Sequence, residues 1–192
     1  GTWENLSNTD LGYPAGFTRT EFSVSISNPN VIYLVGNDGG VGSNIFRSED
    51  GGLSWEDRGP VNPDTDFTRG QVWYDLDIVV DPTDENHVLV GGIDIYETKN
   101  GAASWSRISD WRGFGLQYIH ADQHRIIFDP EIPNRVFIGN DGGVFYSDDK
   151  GRTFTERNTD YNVTQFYAGA FHPDAYSDYI LGGTQDNNSL QM

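Results

Sequence analysis

Two short strings carry the residues best suited to chemistry. Asn37-Asp38-Gly39-Gly40 and Asn140-Asp141-Gly142-Gly143 each set a carboxylate between an apolar run and a glycine pair. A glycine pair lets the backbone come close to a ligand, so Asp38 and Asp141 are candidate catalytic carboxylates. Glycoside hydrolysis needs two such groups, one of them protonated, about 5–9.5 Å apart. The structural alternative is that each Asp holds its own corner through side chain to backbone bonds. A third string, His120-Ala121-Asp122-Gln123-His124, places two imidazoles and a carboxylate at alternate positions. On a strand those three share a face. His120, Asp122 and His124 are therefore a candidate metal half-site, a candidate ligand-binding set, or a hydrogen-bonded polar network.

Aromatic rings beside polar groups are what a sugar-binding face uses. Trp73-Tyr74-Asp75 and Gln165-Phe166-Tyr167 both have that composition, and the same rings serve equally for packing between sheets. Gln185-Asp186-Asn187 is a further polar cluster at a Gly-rich corner. Trp73, Tyr74, Gln165, Gln185 and Asp186 thus join the histidine string as candidate binding residues. Without cysteine there is no disulfide framework, thiolate metal site or cysteine nucleophile. No phosphate loop and no Gly-x-Ser-x-Gly elbow is present, and the acidic turns Asp64–Asp66 and Asp81–Glu85 lack the EF-hand pattern. No cofactor is implied.

The elements that position these residues follow from a repeat. Ser48-Glu-Asp50-Gly-Gly52-Leu-Ser-Trp55, Thr98-Lys-Asn100-Gly-Ala-Ala-Ser-Trp105 and Ser147-Asp-Asp149-Lys-Gly151-Arg-Thr-Phe154 end in aromatics spaced by 50 and 49 residues. Upstream of each stands Asn28-Pro29, Asp81-Pro82 or Asp129-Pro130, and then an apolar run ending in glycine; His172-Pro173 begins a fourth copy. Each unit reads as four short antiparallel strands, in the first copy Phe22–Ile26, Val31–Val35, Asn44–Arg47 and Ser54–Asp57, which is one propeller blade. Asp50 and Asp148 or Asp149 accept backbone N–H bonds in the hairpin, Gly52 and Gly151 supply positive φ, and Trp55, Trp105 and Phe154 return as the next strand with a large ring to bury. The middle copy has Thr98 and Asn100 in place of Ser and Asp, so its turn is expected to be weaker. No amphipathic helical stretch occurs, and 62–70 and 106–119 read as the long loops.

The chain has 192 residues, 12 Lys plus Arg, 29 Asp plus Glu and a net charge of −17. Such a surface repels phosphate backbones and anionic membranes, which argues against nucleic acid as a partner. No apolar run approaches the roughly 20 residues of a membrane span, so no membrane insertion is expected. Of the acidic residues 21 are Asp and 8 are Glu, a skew toward turn formers.

The Ser-x-Asp-x-Gly-x-x-Trp pattern resembles the Asp-box, or BNR repeat. The strings Val35–Val41, Gly70–Leu76, His120–His124, Ile138–Val144, Val163–Tyr167 and Gly182–Asn187 resemble the sortilin and BNR-type propeller superfamily, and in particular large secreted proteins of Bacteroidota-type bacteria exported by type IX secretion. More distantly the chain is similar to xyloglucan-degrading propeller glycosidases, in which a catalytic aspartate lies in a Thr-Asp-x-Gly-Gly corner; Asn37 and Asn140 stand here in place of that Thr. The resemblance implies that the Asp-box residues fold the chain rather than act catalytically.

The expectation is an all-β propeller of four-stranded antiparallel blades, with blades at 7–60, 70–110 and 118–158 and a fourth, split or incomplete, from 163–192 plus 1–6. Either Trp3–Leu6 completes that last blade and closes a four-bladed ring, or the chain is a segment of a larger propeller, the reading preferred here. The sequence opens on Thr2–Leu6, which reads as structured, so any targeting segment is expected to lie upstream or to have been removed. The expected role is a non-catalytic binding or scaffold module of a large secreted or cell-surface bacterial protein, a type IX cargo, with a polysaccharide, a cell-surface protein or secretion machinery as partner. The alternative is a glycoside hydrolase of the xyloglucan-degrading type that uses Asp38 or Asp141.

Overall fold

In a computed structural model, the residues described are 11–12, 16–37, 43–160, 165–171, 173, 179–185 and 189–191. Among them there is no α-helix. The first sheet consists of β1 (Arg19–Val24), β2 (Ile32–Asn37), β3 (Asn44–Ser48) and β4 (Glu56–Pro60) in that spatial order. The second holds β5 (Asp77–Asp81), β6 (Asp84–Gly91), β7 (Ile95–Thr98) and β8 (Ser106–Arg107). The third holds β9 (Gln123–Phe128), β10 (Val136–Asn140), β11 (Gly143–Ser147) and β12 (Thr155–Glu156). A fourth, three-stranded sheet holds β13 (Phe166–Phe171), β14 (Ile180–Thr184) and β15 (Ser189–Gln191). All neighbouring strands are antiparallel. These are the meandering blades of a propeller. Trp3–Leu6 lies outside the described residues, as does any pairing it makes.

The apolar alternation decides how blades stack. Ile78, Val80, Val88 and Val90 point to one side of the second blade and meet Tyr33, Val35 and Ile45 of the first. Leu89 and Ile95 point to the other side and meet Ile126, Val136, Ile138 and Phe145 of the third. Val88, Leu89 and Val90 are wholly buried, because β6 is covered on both faces. Polar anchors fix the seams. The Ser23 hydroxyl accepts the Val80 amide at 3.1 Å, the Tyr33 hydroxyl donates to the Glu85 carbonyl at 2.8 Å, and the Asp77 carboxylate accepts the Ile126 amide.

Three hairpin turns repeat one hydrogen-bond pattern. Ser48 Oγ donates to Asp50 and accepts the Gly52 amide at 2.9 Å, while Asp50 accepts the Ser54 amide at 2.9 Å. Ser147, Asp149, Gly151 and Thr153 repeat it at 2.8 Å throughout. Of the two neighbouring aspartates it is Asp149 that enters the turn, and Asp148 instead pairs with Arg135. Gly52 and Gly151 have φ of 91° and 90°, as the turn requires. The middle copy keeps the same geometry with Thr98 and Asn100, but the Asn100 amide donates to the Ser104 hydroxyl at 2.9 Å where in the other copies that hydroxyl donates to a carboxylate. Trp105 and Phe154 lie just before β8 and β12 and pack, partly buried, on the two interblade cores.

The buried hydroxyls carry these turns. Ser48→Ala and Ser147→Ala should each cost about 1–3 kcal/mol, since a buried amide loses its acceptor; denaturant unfolding checks this. Asp50 is held near a pKa of about 2, chiefly by the Ser54 hydroxyl and amide. Its contribution is present above the ordinary value of 3.8 and is lost as pH falls toward 2, so an Asp50→Ala variant should show a shallower acid limb.

Candidate functional site

The connections 61–76 and 108–122 enter β5 and β9 at the same end of their blades as the β10–β11 turn, which brings most of the sequence candidates together. The 72–76 turn is set by burial at both ends: Val72 and Leu76 sink into the core, and their carbonyls accept the Arg19 guanidinium of β1 at 3.1 Å each. The residues between are thereby aimed. Trp73 projects outward and is 71% exposed, Tyr74 turns toward the third blade, and Asp75 points inward and is fully buried.

The Tyr74 hydroxyl donates to Asp141 at 2.9 and 3.1 Å, and His124 Nε2 lies 2.6 Å from the same carboxylate. The Tyr74 and His124 rings meet edge to face, with centroids 4.8 Å apart, and the Trp73 ring lies 5.3 Å from that of Tyr74. An exposed indole thus borders a cluster of imidazole, phenol and carboxylate. The corner beneath is held by amides. Asn140 Oδ1 accepts the Gly142 amide at 3.0 Å and its Nδ2 donates to the His120 carbonyl and to Gln123 Oε1, both at 3.2 Å. Asn158 accepts the Val144 amide and donates to the Gly142 carbonyl, both at 2.8 Å. Asn140 therefore does what the structural alternative assigned to Asp141, and the Asp141 carboxylate faces Tyr74 and His124.

The histidine string does not form the expected strand face. β9 begins at Gln123; His120 and Asp122 precede it, and Asp122 has φ of 66°, which breaks the alternation on which a shared face depends. Each member has its own setting. The His120 ring packs over Gly142, where an added Cβ would lie 2.4 Å from it, and His124 pairs with Asp141. Among the described residues no group of three His, Asp or Glu side chains is gathered to hold a metal ion. Gln165 and Gln185 are neighbours on the fourth sheet, the Gln185 amide donating to the Gln165 carbonyl at 2.9 Å. Asp38 and Asp186 lie outside the described residues.

Asp75 stands out in a way its string did not indicate. Both its carboxyl oxygens are buried without a hydrogen-bond partner. Burial, with the neighbouring Asp122 charge adding to it, pushes its pKa up to about 8. Asp77, two residues on, is raised to about 6 by burial, partly offset by the Ile126 amide and Arg125. Arg19, Asn140 and Asn158 also escaped the sequence reading, because nothing in their local pattern marks them as supports.

No protein-family model matches this sequence, and no curated protein does. Solved structures do. The chain superposes on the GH74 enzyme of Niastella koreensis with a TM-score of 0.56 at 19% identity, over 86% of this chain and 26% of that one. It superposes on the GH74 xyloglucanase of Xanthomonas campestris with a TM-score of 0.57 at 17% identity, over 92% and 28%. YCF48 from Cyanidioschyzon merolae matches with a TM-score of 0.50 at 14% identity, over 94% and 58%. The chain spans about a quarter of the length of the GH74 structures, and the likeness is one of fold: a β-propeller.

The Asp75 proton has a measurable consequence. The folded chain keeps that proton up to pH about 8, whereas the unfolded chain releases it near 3.8. Between these limits the folded state binds more protons, so its contribution to stability falls as pH rises. Asp75→Asn should flatten the decline of melting temperature between pH 4 and pH 8; equal slopes for variant and wild type would refute the assignment.

Proposed function

We propose that this chain is a carbohydrate-binding propeller module of a larger secreted or cell-surface bacterial protein. The single observation that carries the reading is the exposed Trp73 ring beside the Tyr74–His124–Asp141 cluster. A flat apolar face stacks on a pyranose, and polar groups at its border meet the hydroxyls. The net charge of −17 favours a neutral glucan over an anionic polysaccharide. The Asp-box turns, on this reading, are scaffold. Secretion by the type IX route and a cell-surface setting rest on the sequence resemblance, and a cell-surface protein or the secretion machinery are the other partners it suggests.

Hydrolysis is the second reading, and two observations bear on it. Structural neighbours include GH74 enzymes, and Asp75 is a carboxyl that holds its proton at neutral pH. The same burial keeps Asp75 from any substrate, so a protonated acid that could reach a glycosidic oxygen has to come from elsewhere. Binding is therefore preferred to turnover.

Calorimetric titration with xyloglucan and cellulose oligosaccharides tests the proposal. Trp73→Ala should weaken binding about tenfold, the value of one good stacking contact, and leave the melting temperature nearly unchanged because the ring is exposed. Equal affinity for variant and wild type would overturn the site. Reducing-sugar release by the wild type that is lost in Asp141→Asn would establish the hydrolase reading instead.

A further inference from the structure

At the opposite end of the second and third blades a buried charge cluster joins them. The His87 imidazole, its side chain 4% exposed, lies between two carboxylates: Nδ1 is 2.8 Å from Asp81 and Nε2 is 2.8 Å from Glu97. A carboxylate accepts and does not donate, so each of these contacts requires a proton on the ring nitrogen. An imidazole that satisfies both is an imidazolium. Lys150, from the β11–β12 turn of the third blade, reaches back across the seam to Asp81 at 2.6 Å and to the Thr83 hydroxyl at 2.9 Å. The ring of His87 meets Phe128 of β9 edge to face, with centroids 6.2 Å apart. Lys99 covers Glu97 from outside at 2.8 Å. A cavity of about 380 Å³ adjoins the cluster, and the other charged groups facing it are Asp84 from β6 and Asp148, Asp149 and Arg152 from the β11–β12 turn.

The repeat supplies an internal comparison. His87 directly precedes Val88, which pairs with Val80 and Thr98; Arg135 directly precedes Val136, which pairs with Phe128 and Ser147. Both follow an Asp-Pro turn, and Arg135 pairs with Asp129 at 3.9 Å and with Asp148 at 2.6 Å. In the third blade this place holds a permanent cation. In the second it holds an imidazolium, a cation that can lose its proton.

We propose that the Asp81–His87–Glu97–Lys150 cluster is a pH-sensitive latch between the second and third blades, closed while His87 carries both ring protons. Loss of one proton leaves a carboxylate facing a nitrogen lone pair inside the seam, and the contact turns repulsive. The two carboxylates outweigh burial and raise the imidazole above its ordinary value. The stabilisation is thus complete below the unfolded value of 6.5 and is lost as pH rises through the folded one.

Long-range proton–nitrogen correlation spectra of the chain test the latch, with the His87 signals identified by their loss in His87→Gln. At pH 7 both His87 nitrogens should carry protons, with a midpoint above the ordinary 6.5. An unprotonated ring nitrogen at pH 7 would overturn the proposal. Lys150→Gln should raise the midpoint further, because a neighbouring cation is removed; an unchanged midpoint would take the third blade out of the latch. Melting curves from pH 6 to pH 9.5 give the energetic arm. Wild type should lose melting temperature relative to His87→Arg across the imidazole titration, and His87→Gln should lack that step. Curves for wild type and His87→Gln that stay parallel over the whole range would refute the latch even if the arginine variant fails to fold.

Discussion

Enclosure of the second blade on both faces is the constraint from which the other features follow. With Val88, Leu89 and Val90 fully buried, the middle of the β5–β6 hairpin has no solvent face. Polar groups at its two ends must then find partners inside the protein or give up their charge. Each solution occurs. Asp77 takes the backbone amide of Ile126 in the next blade, Asp81 takes a histidine and a lysine, and Asp75, with no partner for either oxygen, keeps a proton. The seams are accordingly apolar sheets with a few polar pins, and a pin that fails leaves a buried group unsatisfied rather than a solvated one.

The two ends of the blades divide the work. One end carries the repeating Ser-x-Asp turns, whose side chains are consumed by their own hairpins. The other end carries Trp73, Tyr74, His124 and Asp141, whose supports are different residues: Arg19 grips the 72–76 turn, and Asn140 and Asn158 hold the corner under Asp141. Holding the corner with amides leaves the carboxylate to Tyr74 and His124, beneath an exposed aromatic ring. A surface that recognises a ligand needs such delegated support, since a side chain that props up its own backbone has few lone pairs to offer.

The repeat was legible because it is written in residue types with strict backbone demands. Ser, Asp and Gly at fixed offsets specify a turn, and the aromatic after them specifies where the chain re-enters the sheet, so the four-stranded antiparallel blades and their hairpins could be read directly. The reading failed where identity depends on register or on a distant partner. His120, Asp122 and His124 alternate in sequence, yet a left-handed residue at Asp122 starts the strand one position later and scatters them. The exposure of Trp73 and the burial of Asp75 two residues on are set by a guanidinium from another blade. Nothing in the sequence around His87 marks it, and only the meeting of β5 and β7 sets it between two carboxylates, one of which the third-blade turn also grips.

Those buried groups share a sign, and that sign links the seams to the surrounding solution. Asp75, Asp77 and Asp94 are raised by burial, and His87 is raised by its carboxylates, so all four favour the folded chain as pH falls toward the acid side of neutral. A net charge of −17 acts in the same direction, because each proton taken up relieves self-repulsion. The opposing set consists of carboxylates held ionised: Asp50 and Asp149 in their turns, and Asp81 and Glu97 around the imidazolium. These lose their contribution only below the ordinary carboxylate range. The two sets overlap on the acid side of neutral, where Asp75 keeps its proton, Asp50 keeps its charge and the latch is closed. There the buried carboxyls at the two ends of β5 are paired or neutral at once.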